Sequence, residues 1–293
     1  MQNVLSPLFN IKTKRQNLIM HAYLINLTAA KDRLFHAEQE LSKFQIPYTV
    51  VNAIKGSELP YPHVLFSDVG YRLLQGRRRI DAEFGCFLSH LKAIQLFWDS
   101  GEDYGLILED DIQFADSAKS VIAQALQAAP FDLLRLSTVN SGRWTKTIPL
   151  KAGHFLGVAY TREKGAGAYL LNRKAAKKIL ANYLPMTLPY DHRFDLEWLD
   201  GFRTLGITPP LVTQKGFTSQ IQQNVRAHYL PAYLRYWTVF PCRFFWELTR
   251  VIFRGYSHIK LKKSHYSTRF ITKNPQRTRP QTRDGHLNQT CGR

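Results

Sequence analysis

A short apolar run that ends in three consecutive acidic residues places the strongest constraint on how this chain can fold. The run from Gly105 to Leu108 follows turn-forming residues and is followed by Glu109, Asp110 and Asp111. A short apolar segment between turn signals is typical of a buried β-strand. Three adjacent carboxylates at its end repel one another unless a cation or solvent screens them. The chain is therefore expected to form a sheet with an acidic cluster at one edge.

The position of these acids favours a ligand-binding role. Ligands of open α/β sheets bind beyond the carboxyl ends of the strands, and carboxylate oxygens suit hard cations such as Mg²⁺ and Mn²⁺. We therefore predict a metal ion held by Glu109 and Asp111 and bridging to a phosphorylated ligand. The alternative is an acidic loop that follows a strand without binding a metal.

The beginning of the chain predicts a parallel βαβ unit. Residues 18–27 form an apolar run that indicates a strand, residues 28–44 carry apolar side chains at helical spacing, and residues 48–51 indicate a second strand. Strand, helix and strand in this order are typical of a parallel sheet. The predicted fold is α/β, a Rossmann-like mixed sheet flanked by helices.

The remaining elements follow a Pro- and Gly-rich stretch, residues 56–76, that is predicted to be a loop. A second loop is predicted over residues 188–195. Helices are predicted over residues 83–98, 116–129, 174–184 and 196–205, and strands over residues 132–136, 155–161 and 168–171.

Basic residues are concentrated at the C-terminal end. The formal charge is +18, and residues 225–293 hold 14 of the 40 Lys and Arg but two of the 22 Asp and Glu. Such asymmetry suggests nucleic acid or an anionic membrane surface as the partner of this segment. We predict a main domain over residues 18–224, a basic aromatic helical tail over residues 225–270 and a disordered end over residues 271–293.

Cysteine usage and targeting signals bear on the cellular location. Cys86, Cys242 and Cys291 are too scattered for a disulfide framework or a zinc cluster and fit a reducing compartment. No signal peptide is recognised, and no uninterrupted apolar window approaches the ~18 residues of a membrane span. We expect a cytoplasmic protein, soluble or bound to a membrane surface.

Two further groups of residues are candidates for ligand binding. Asn26 and Leu27 end the first predicted strand, and Arg33 in the next helical turn could bind a phosphate. The alternative for Arg33 is an ordinary surface charge. Ser89 and His90 lie within a predicted helix among apolar neighbours, where the histidine is either a ligand contact or a hydrogen-bonded core residue.

The predicted loop over residues 188–195 is a candidate for catalysis. Its Asp191, His192 and Asp195 could supply a general base or a further metal ligand, or the two Asp residues could cap a helix. The chain contains no Walker loop, no Gly-x-Gly-x-x-Gly and no His-Glu-x-x-His motif. This counts against a P-loop hydrolase, a dinucleotide-dependent dehydrogenase and a common metalloprotease.

Short segments along the chain carry a resemblance to a known family. They are Ile25-Asn26-Leu27 with Asp32-Arg33, Gly85-Cys86-Phe87-Leu88-Ser89-His90, Leu106-Ile107-Leu108-Glu109-Asp110-Asp111, Gly167-Ala168-Tyr169-Leu170-Leu171, Pro189-Tyr190-Asp191 and Ser219-Gln220-Ile221. Together they resemble glycosyltransferase family 25, the lipooligosaccharide galactosyltransferases that are distant relatives of collagen galactosyltransferases. The spacing from Gly-Cys-x-x-Ser-His to Glu-Asp-Asp is the specific part. Residues 28–31, Thr-Ala-Ala-Lys, depart from the arginine-rich helix start of the family.

The resemblance implies a GT-A-type fold, a UDP-sugar donor such as UDP-galactose, and inversion at the anomeric carbon. The main domain would be the catalytic domain, and the acceptor would be the lipid-linked oligosaccharide of a lipooligosaccharide or lipopolysaccharide. Glu109 and Asp111 match the acidic motif of the family, the place for Mn²⁺ (or Mg²⁺) and the UDP diphosphate. The residues implied in donor binding are Asn26, Leu27, Arg33, Ser89, His90 and Asp110.

Inversion requires a base that takes the proton of the acceptor hydroxyl. Asp191 is the first candidate and Asp195 the second. An alternative from another class is a non-enzymatic basic protein that binds membranes or nucleic acid. The charge excess lies outside the main domain and no RNA-binding signature is present, so we expect an enzyme without a nucleic-acid partner.

The basic tail contains a candidate interfacial helix. Pro241 can begin a helix, after which Arg243, Glu247, Arg250 and Arg254 recur at spacings that place them on one stripe. Bulky apolar residues fill the remaining positions, which suits a membrane interface rather than a span. We predict peripheral association with the anionic inner face of the inner membrane. The alternative is that the aromatic residues pack onto the catalytic domain.

Overall fold

The computed structural model describes residues 20–140, 142–214 and 229–273 as a mixed α/β fold. The strands in these residues are β1 (His21–Asn26), β2 (Tyr48–Asn52), β3 (Tyr104–Glu109), β4 (Ile112–Phe114), β5 (Leu133–Arg135), β6 (Ile148–Pro149), β7 (Phe155–Gly157), β8 (Ala168–Asn172), β9 (Thr204–Thr208) and β10 (Val212–Gln214). The helices are α1 (Lys31–Lys43), α2 (Asp68–Gln75), α3 (Asp81–Ser100), α4 (Ala118–Ala128), α5 (Arg173–Asn182), α6 (Tyr190–Phe194), α7 (Ala232–Trp237) and α8 (Val239–Lys273).

The main sheet is parallel at its centre and mixed beyond it. Its eight strands lie in the order β2-β1-β3-β8-β5-β9-β7-β6, and β4 pairs with β10 in a separate two-stranded sheet. β1 pairs in parallel with both β2 and β3, which confirms the predicted βαβ unit. β8 runs antiparallel between β3 and β5. The mixed sheet flanked by helices that the sequence predicts is confirmed.

β3 distributes its side chains between two hydrophobic layers. Leu106 and Leu108 pack on one face with α1 and α4, against residues such as Leu41. Ile107 packs on the other face with α3, α5 and α6, against residues such as Ile94. Alternate side chains of a strand point to opposite faces, and burying each contributes about 1.5–3 kcal/mol. The strand that carries the acidic triplet is therefore fixed from both sides.

Three segments differ from the elements predicted. Residues 56–76, predicted to be a loop, contain α2, and residues 188–195 contain the short helix α6. The helix predicted over residues 196–205 is wrong, because a 3-10 turn, Glu197–Asp200, is closed by Gly201 at φ +65° and leads into β9. A short apolar run fits a helix or a strand equally well, and here pairing with β5 and β7 decides for the strand.

The C-terminal helix α8 packs on the main domain through its arginines. It begins two residues before Pro241 and is longer than the short helix predicted. Arg250 and Arg254 are buried against Asp195 and Glu197 of the main domain. Arg250 and Arg254 of the predicted charged stripe thus face protein and not solvent or lipid. The boundary predicted at residue 225 and the segment 219–221 lie outside the described residues.

Most apolar side chains of α7 and α8 are exposed, whereas Val239 and Leu261 of α8 are fully buried. Trp237 is 85% exposed and Phe244 is 73% exposed. The same exposed surface, which we call the aromatic face, includes Tyr233, Tyr236, Phe245, Leu248, Val251, Ile252, Phe253, Tyr256 and Ile259. None of the helices in the described ranges combines the length and the apolarity that a bilayer crossing needs.

Candidate active site

The acidic triplet lies where the strand order of the sheet reverses. β1 has β2 on one side and β3 on the other, and Ile25 of β1 is paired with Glu109 of β3. The carbonyl of Leu27 accepts a hydrogen bond from the Ala30 amide at 2.7 Å, which turns the chain from β1 into α1. The ends of two parallel strands and the start of a helix therefore meet at one edge. Such a switch point is where open α/β sheets bind ligands.

Asp110 turns toward β1 and α1 and is fully bonded there. Asn26 Nδ2 donates to Asp110 Oδ2 at 2.7 Å, and Arg33 Nη2 forms an ion pair with Asp110 Oδ1. Arg33 Nη2 also lies 3.5 Å from Asp111 Oδ2. Asp110 therefore fixes the loop after β3 and holds the Arg33 guanidinium at the strand–helix junction, where the sequence predicts a phosphate.

Glu109 and Asp111 share a space beside Asp110. The Nε2 atom of Gln214, the last residue of β10, lies 3.3 Å from Glu109 Oε2 and 3.5 Å from Asp111 Oδ1. The two carboxylates therefore flank one donor nitrogen at the same edge of the sheet. Carboxylate oxygens in this arrangement suit Mn²⁺ or Mg²⁺.

The electrostatics of the triplet also favour a bound cation. The pKa of Asp111 is raised to about 6, first by burial and then by the charge of Glu109, while Arg33 opposes the rise and Asp110 adds to it. The pKa of Asp110 is raised as well, chiefly by burial. A divalent ion would neutralise carboxylates that otherwise repel one another with reduced solvation. The residues present therefore fit the metal that the resemblance implies.

His90 holds Glu109 from inside the core. Its Nε2 lies 3.3 Å from Glu109 Oε1, and its Nδ1 lies 3.1 Å from the Tyr169 hydroxyl. The imidazole stacks on the Tyr190 ring with the centroids 4.1 Å apart and the planes parallel within 1°. His90 is 1% exposed, so it orients a carboxylate of the site and is itself a hydrogen-bonded core residue.

Ser89 uses both of its hydrogen-bonding functions on the backbone. Its Oγ accepts from the Ile54 amide at 2.8 Å and donates to the Gly85 carbonyl at 2.6 Å. Gly85 permits this contact, because a Cβ there would lie 2.4 Å from the Ile54 oxygen. The small residues of the Gly-Cys-x-x-Ser-His segment thus bring α3 against the loop that follows β2.

Cys86 lies at the site although the sequence analysis did not select it. One ligand atom from each of Cys86, His90 and Glu109 lies within 4.8 Å of the others. The pKa of the Cys86 thiol is raised by burial and then by the charges of Glu109 and Asp191. Its spacing of four residues from His90 was the available signal, since such positions share one helix face. Gln214 carried no comparable signal in the sequence.

Asp191 lies in the first turn of the short helix α6. Its Oδ1 accepts a hydrogen bond from the His192 amide at 3.0 Å, and its Oδ2 has no hydrogen-bond partner among the residues that the structure describes. Its charge acts on the Cys86 thiol together with those of Glu109, Glu83 and Asp111. Asp191 is half-buried, so one carboxylate oxygen remains available to a ligand.

Asp195, four residues further on, has a different environment. Its Oδ2 pairs with Arg250 at 2.8 Å, and its Oδ1 pairs with Arg254 at 2.7 Å and with Arg135 at 3.4 Å. Its side chain is 2% exposed. The carboxylate of Asp195 is therefore committed to three guanidinium groups and joins α8 to the main domain.

Comparison with known families identifies the family to which this arrangement of residues belongs. A sequence model described as glycosyltransferase family 25 (LPS biosynthesis protein) matches residues 19–194, more than half of the chain. The chain belongs to glycosyltransferase family 25. The family match spans the switch point, the Gly-Cys-x-x-Ser-His helix, the acidic triplet and Asp191, and it ends one residue before Asp195.

Curated relatives of this family 25 chain support a glycosyltransferase activity. It is 25% identical over 211 residues to the lipooligosaccharide biosynthesis protein lic2B of Haemophilus influenzae, covering 66% of this chain and 76% of the relative. It is 28% identical over 182 residues to procollagen galactosyltransferase 1-A of Xenopus laevis, covering 58% of this chain and 29% of the relative. The family 25 chain thus matches less than a third of the length of the Xenopus protein.

Solved structures resemble the family 25 chain more distantly. A glycosyltransferase involved in the glycosylation of the major capsid of PBCV-1 gives a TM-score of 0.39 at 10% identity, covering 68% of this chain and 94% of that structure. A197 from STIV gives a TM-score of 0.39 at 16% identity, covering 68% and 86%. At this level of similarity, the description of the fold rests on the strands and helices of the chain itself.

Proposed function

We propose that this chain is an inverting, metal-dependent glycosyltransferase of GT-A type that moves galactose from UDP-galactose to the oligosaccharide of a lipooligosaccharide or lipopolysaccharide. The observation that carries the proposal is the convergence of Glu109 and Asp111 on one donor nitrogen at the switch point of the sheet. The names of the relatives, a lipooligosaccharide biosynthesis protein and a procollagen galactosyltransferase, support the acceptor and the sugar.

The donor is proposed to bind across the ends of β1 and β3. Glu109 and Asp111 would hold Mn²⁺ or Mg²⁺, which neutralises the charge that develops on the leaving diphosphate. Arg33 faces the same space from the first turn of α1 and adds a cation for the phosphates. Asn26 and Leu27 form the strand end on which the nucleoside would lie, and Asp110 keeps Arg33 in place.

Asp191 is the base of the proposed reaction. Its Oδ2 would accept the proton of the acceptor hydroxyl while the hydroxyl oxygen bonds to the anomeric carbon. The bond from that carbon to the diphosphate oxygen breaks, and UDP leaves with the electron pair. Asp195 is not proposed for this role, because three arginines already occupy its carboxylate. Ser89 and His90 are proposed to shape the donor site from behind, since both are buried.

The aromatic face of α7 and α8 is proposed to rest on the cytoplasmic surface of the inner membrane. A helix with large apolar and aromatic side chains on one face suits the interface of a bilayer. Exposed Lys260, Lys262 and Lys263 follow it and would each add about 1 kcal/mol at an anionic surface. A lipid-linked acceptor makes this docking useful, because enzyme and acceptor then search in two dimensions.

The experiment that tests the function is transfer and hydrolysis of UDP-sugars by the full-length chain with Mn²⁺ and after chelation. UDP-galactose is compared with UDP-glucose as donor. Activity that requires the metal and is lost in Asp111→Asn, with unchanged thermal stability, is expected. Near-native activity of Asp111→Asn would overturn the metal assignment, and an equal rate with UDP-glucose would overturn the choice of galactose.

A further inference from the structure

A crevice between α8 and the main domain lies directly beside Asp191. Its polar lining consists of Gln75 at the end of α2, Arg162, His192 of α6, Arg243 of α8 and the mutually paired Asp195 and Arg250. His192 is the immediate neighbour of Asp191, and its Nδ1 lies 2.8 Å from Gln75 Nε2. The proposed base is therefore the direct chain neighbour of a residue that lines this crevice.

The crevice holds an uncompensated positive charge. Arg162 is paired with Glu247, and Arg77 nearby is paired with Glu83. Arg243 is half-buried and has no carboxylate within ion-pair distance among residues 20–140, 142–214 and 229–273. Outside those ranges the sequence contains a single Asp or Glu, Asp284. Within the described ranges, Arg243 is therefore left without a carboxylate that would neutralise it.

The charges around Arg243 make this arrangement costly. Its pKa is lowered by burial and then by the neighbouring guanidinium groups of Arg162 and Arg235, with a smaller contribution from Arg77. The pKa of His192 is lowered by burial, and the nearby arginines add to the effect while Asp191 opposes it. Like charges at reduced solvation destabilise a fold unless an anion compensates them.

The crevice itself has room for about one water molecule, but Arg243 and Arg162 both reach the solvent at its edge. We propose that these two arginines bind an anionic substituent, a phosphate or a carboxylate, of the acceptor oligosaccharide. The inference rests on the proposed function, since it assigns the acceptor to the Asp191 side of the site. Arg243 and Arg162 supply guanidinium groups, which bind oxyanions through paired hydrogen bonds. Such an anchor would place a neighbouring sugar hydroxyl at Asp191. Because Arg243 belongs to α8, the subsite exists only while that helix is docked.

Binding of simple anions tests the subsite without any enzymatic activity. The melting temperature of the full-length chain is measured against inorganic phosphate, and separately against acetate, at constant ionic strength set with chloride. A saturable rise in melting temperature with either anion is expected. The anion that binds more strongly, phosphate or acetate, identifies the substituent as a phosphate or a carboxylate. Arg243→Gln should weaken this binding about tenfold or more. The matched control is Arg78→Gln, which removes the same charge from an exposed position.

Two further readouts separate this inference from the proposed function. In buffer without phosphate, Arg243→Gln should melt at a higher temperature than the wild type, because a repelled charge has been removed. Its affinity for UDP with Mn²⁺ should be unchanged. Equal anion binding by Arg243→Gln and Arg78→Gln would overturn the subsite, and an equal loss of UDP and phosphate affinity would assign the crevice to the donor. If the chain does not transfer galactose from UDP-galactose, the proposed function fails, but the measured anion binding at Arg243 is unaffected.

Discussion

Arg250 of the C-terminal helix and Asp195 of the main domain form an ion pair of 2.8 Å in which each side chain is 2% exposed. The residues are 55 positions apart in the sequence. Arg254 binds the other oxygen of Asp195 and also pairs with Glu197 at 3.0 Å. Removing one partner of a buried pair leaves an uncompensated charge. The C-terminal helix is therefore joined to the segment that follows Asp191 by charges that cannot be exposed one at a time without cost.

Arg250→Gln should destabilise the fold by about 3 kcal/mol, the lower end for a broken buried ion pair, because Arg135 and Arg254 remain on Asp195. Urea unfolding of the full-length chain measures this difference. Lys260→Gln on the same helix is the control, since Lys260 is exposed. Equal stability of the two variants would contradict the structural role of the ion pair.

Asp191→Asn and Asp195→Asn should fail in opposite ways. Asp191→Asn is expected to lower kcat by about 10² or more, the usual contribution of a general base, with native UDP affinity and melting temperature. Asp195→Asn is expected to lower the melting temperature, because three buried arginines lose the charge that compensates them. Folded molecules should retain most of their turnover. Turnover and thermal melts measured on the same preparations distinguish the two roles. Lost turnover in Asp195→Asn with retained turnover in Asp191→Asn would make Asp195 the base.

His90→Phe should weaken Mn²⁺ binding by about 10- to 100-fold, as expected when a residue that orients a metal ligand is lost. Phenylalanine keeps the stack on Tyr190 and removes the contact with Glu109, so the fold should survive. Ser89→Ala is the control from the same helix. It should lose about 1–3 kcal/mol of stability, because the Ile54 amide is left unpaired, with no change in Mn²⁺ affinity. Unchanged Mn²⁺ binding by His90→Phe would argue against its role in orienting Glu109.

Phe244→Glu should abolish co-sedimentation with anionic liposomes, because it places a negative charge at the centre of the aromatic face. Val64→Glu is the matched control, since Val64 is an apolar residue of the main domain that is 90% exposed. Binding of the wild type should decrease with salt, as expected for an electrostatic contribution. If Phe244→Glu and Val64→Glu bind equally well, the aromatic face is not the docking surface. Truncation is a poorer test, because it also removes Arg250 and Arg254.

The sequence predicted the centre of the sheet because local patterns decide it. The apolar run before Glu109 could form little other than a buried strand, and its acids marked the end at which ligands bind. The spacing of His90 and Cys86 on one helix face was visible as well. Gln214 was not predictable, because it reaches the acids through the pairing of β10 with β4, which no local pattern specifies.

The role of Asp195 was hidden for a related reason. In the sequence, Asp191 and Asp195 look like equivalent carboxylates in one loop. They differ through tertiary contacts, since Asp195 pairs with arginines of α8 and Asp191 has no ion pair within the part of the chain that the structure describes. The sequence likewise predicted that Arg250 and Arg254 form an exposed cationic surface. Their spacing defines a helix face but does not indicate what packs against it.

The position of Asp195 just past the end of the family match has a consequence for chimaeras between family members. A catalytic segment ending at residue 194 would leave behind the carboxylate that receives Arg250 and Arg254. A graft ending at residue 224 would carry that carboxylate without either arginine. A transplant between homologues should therefore exchange Asp195, Glu197 and the whole of α8 as one cassette, and hybrids that split the set should be recovered as insoluble protein.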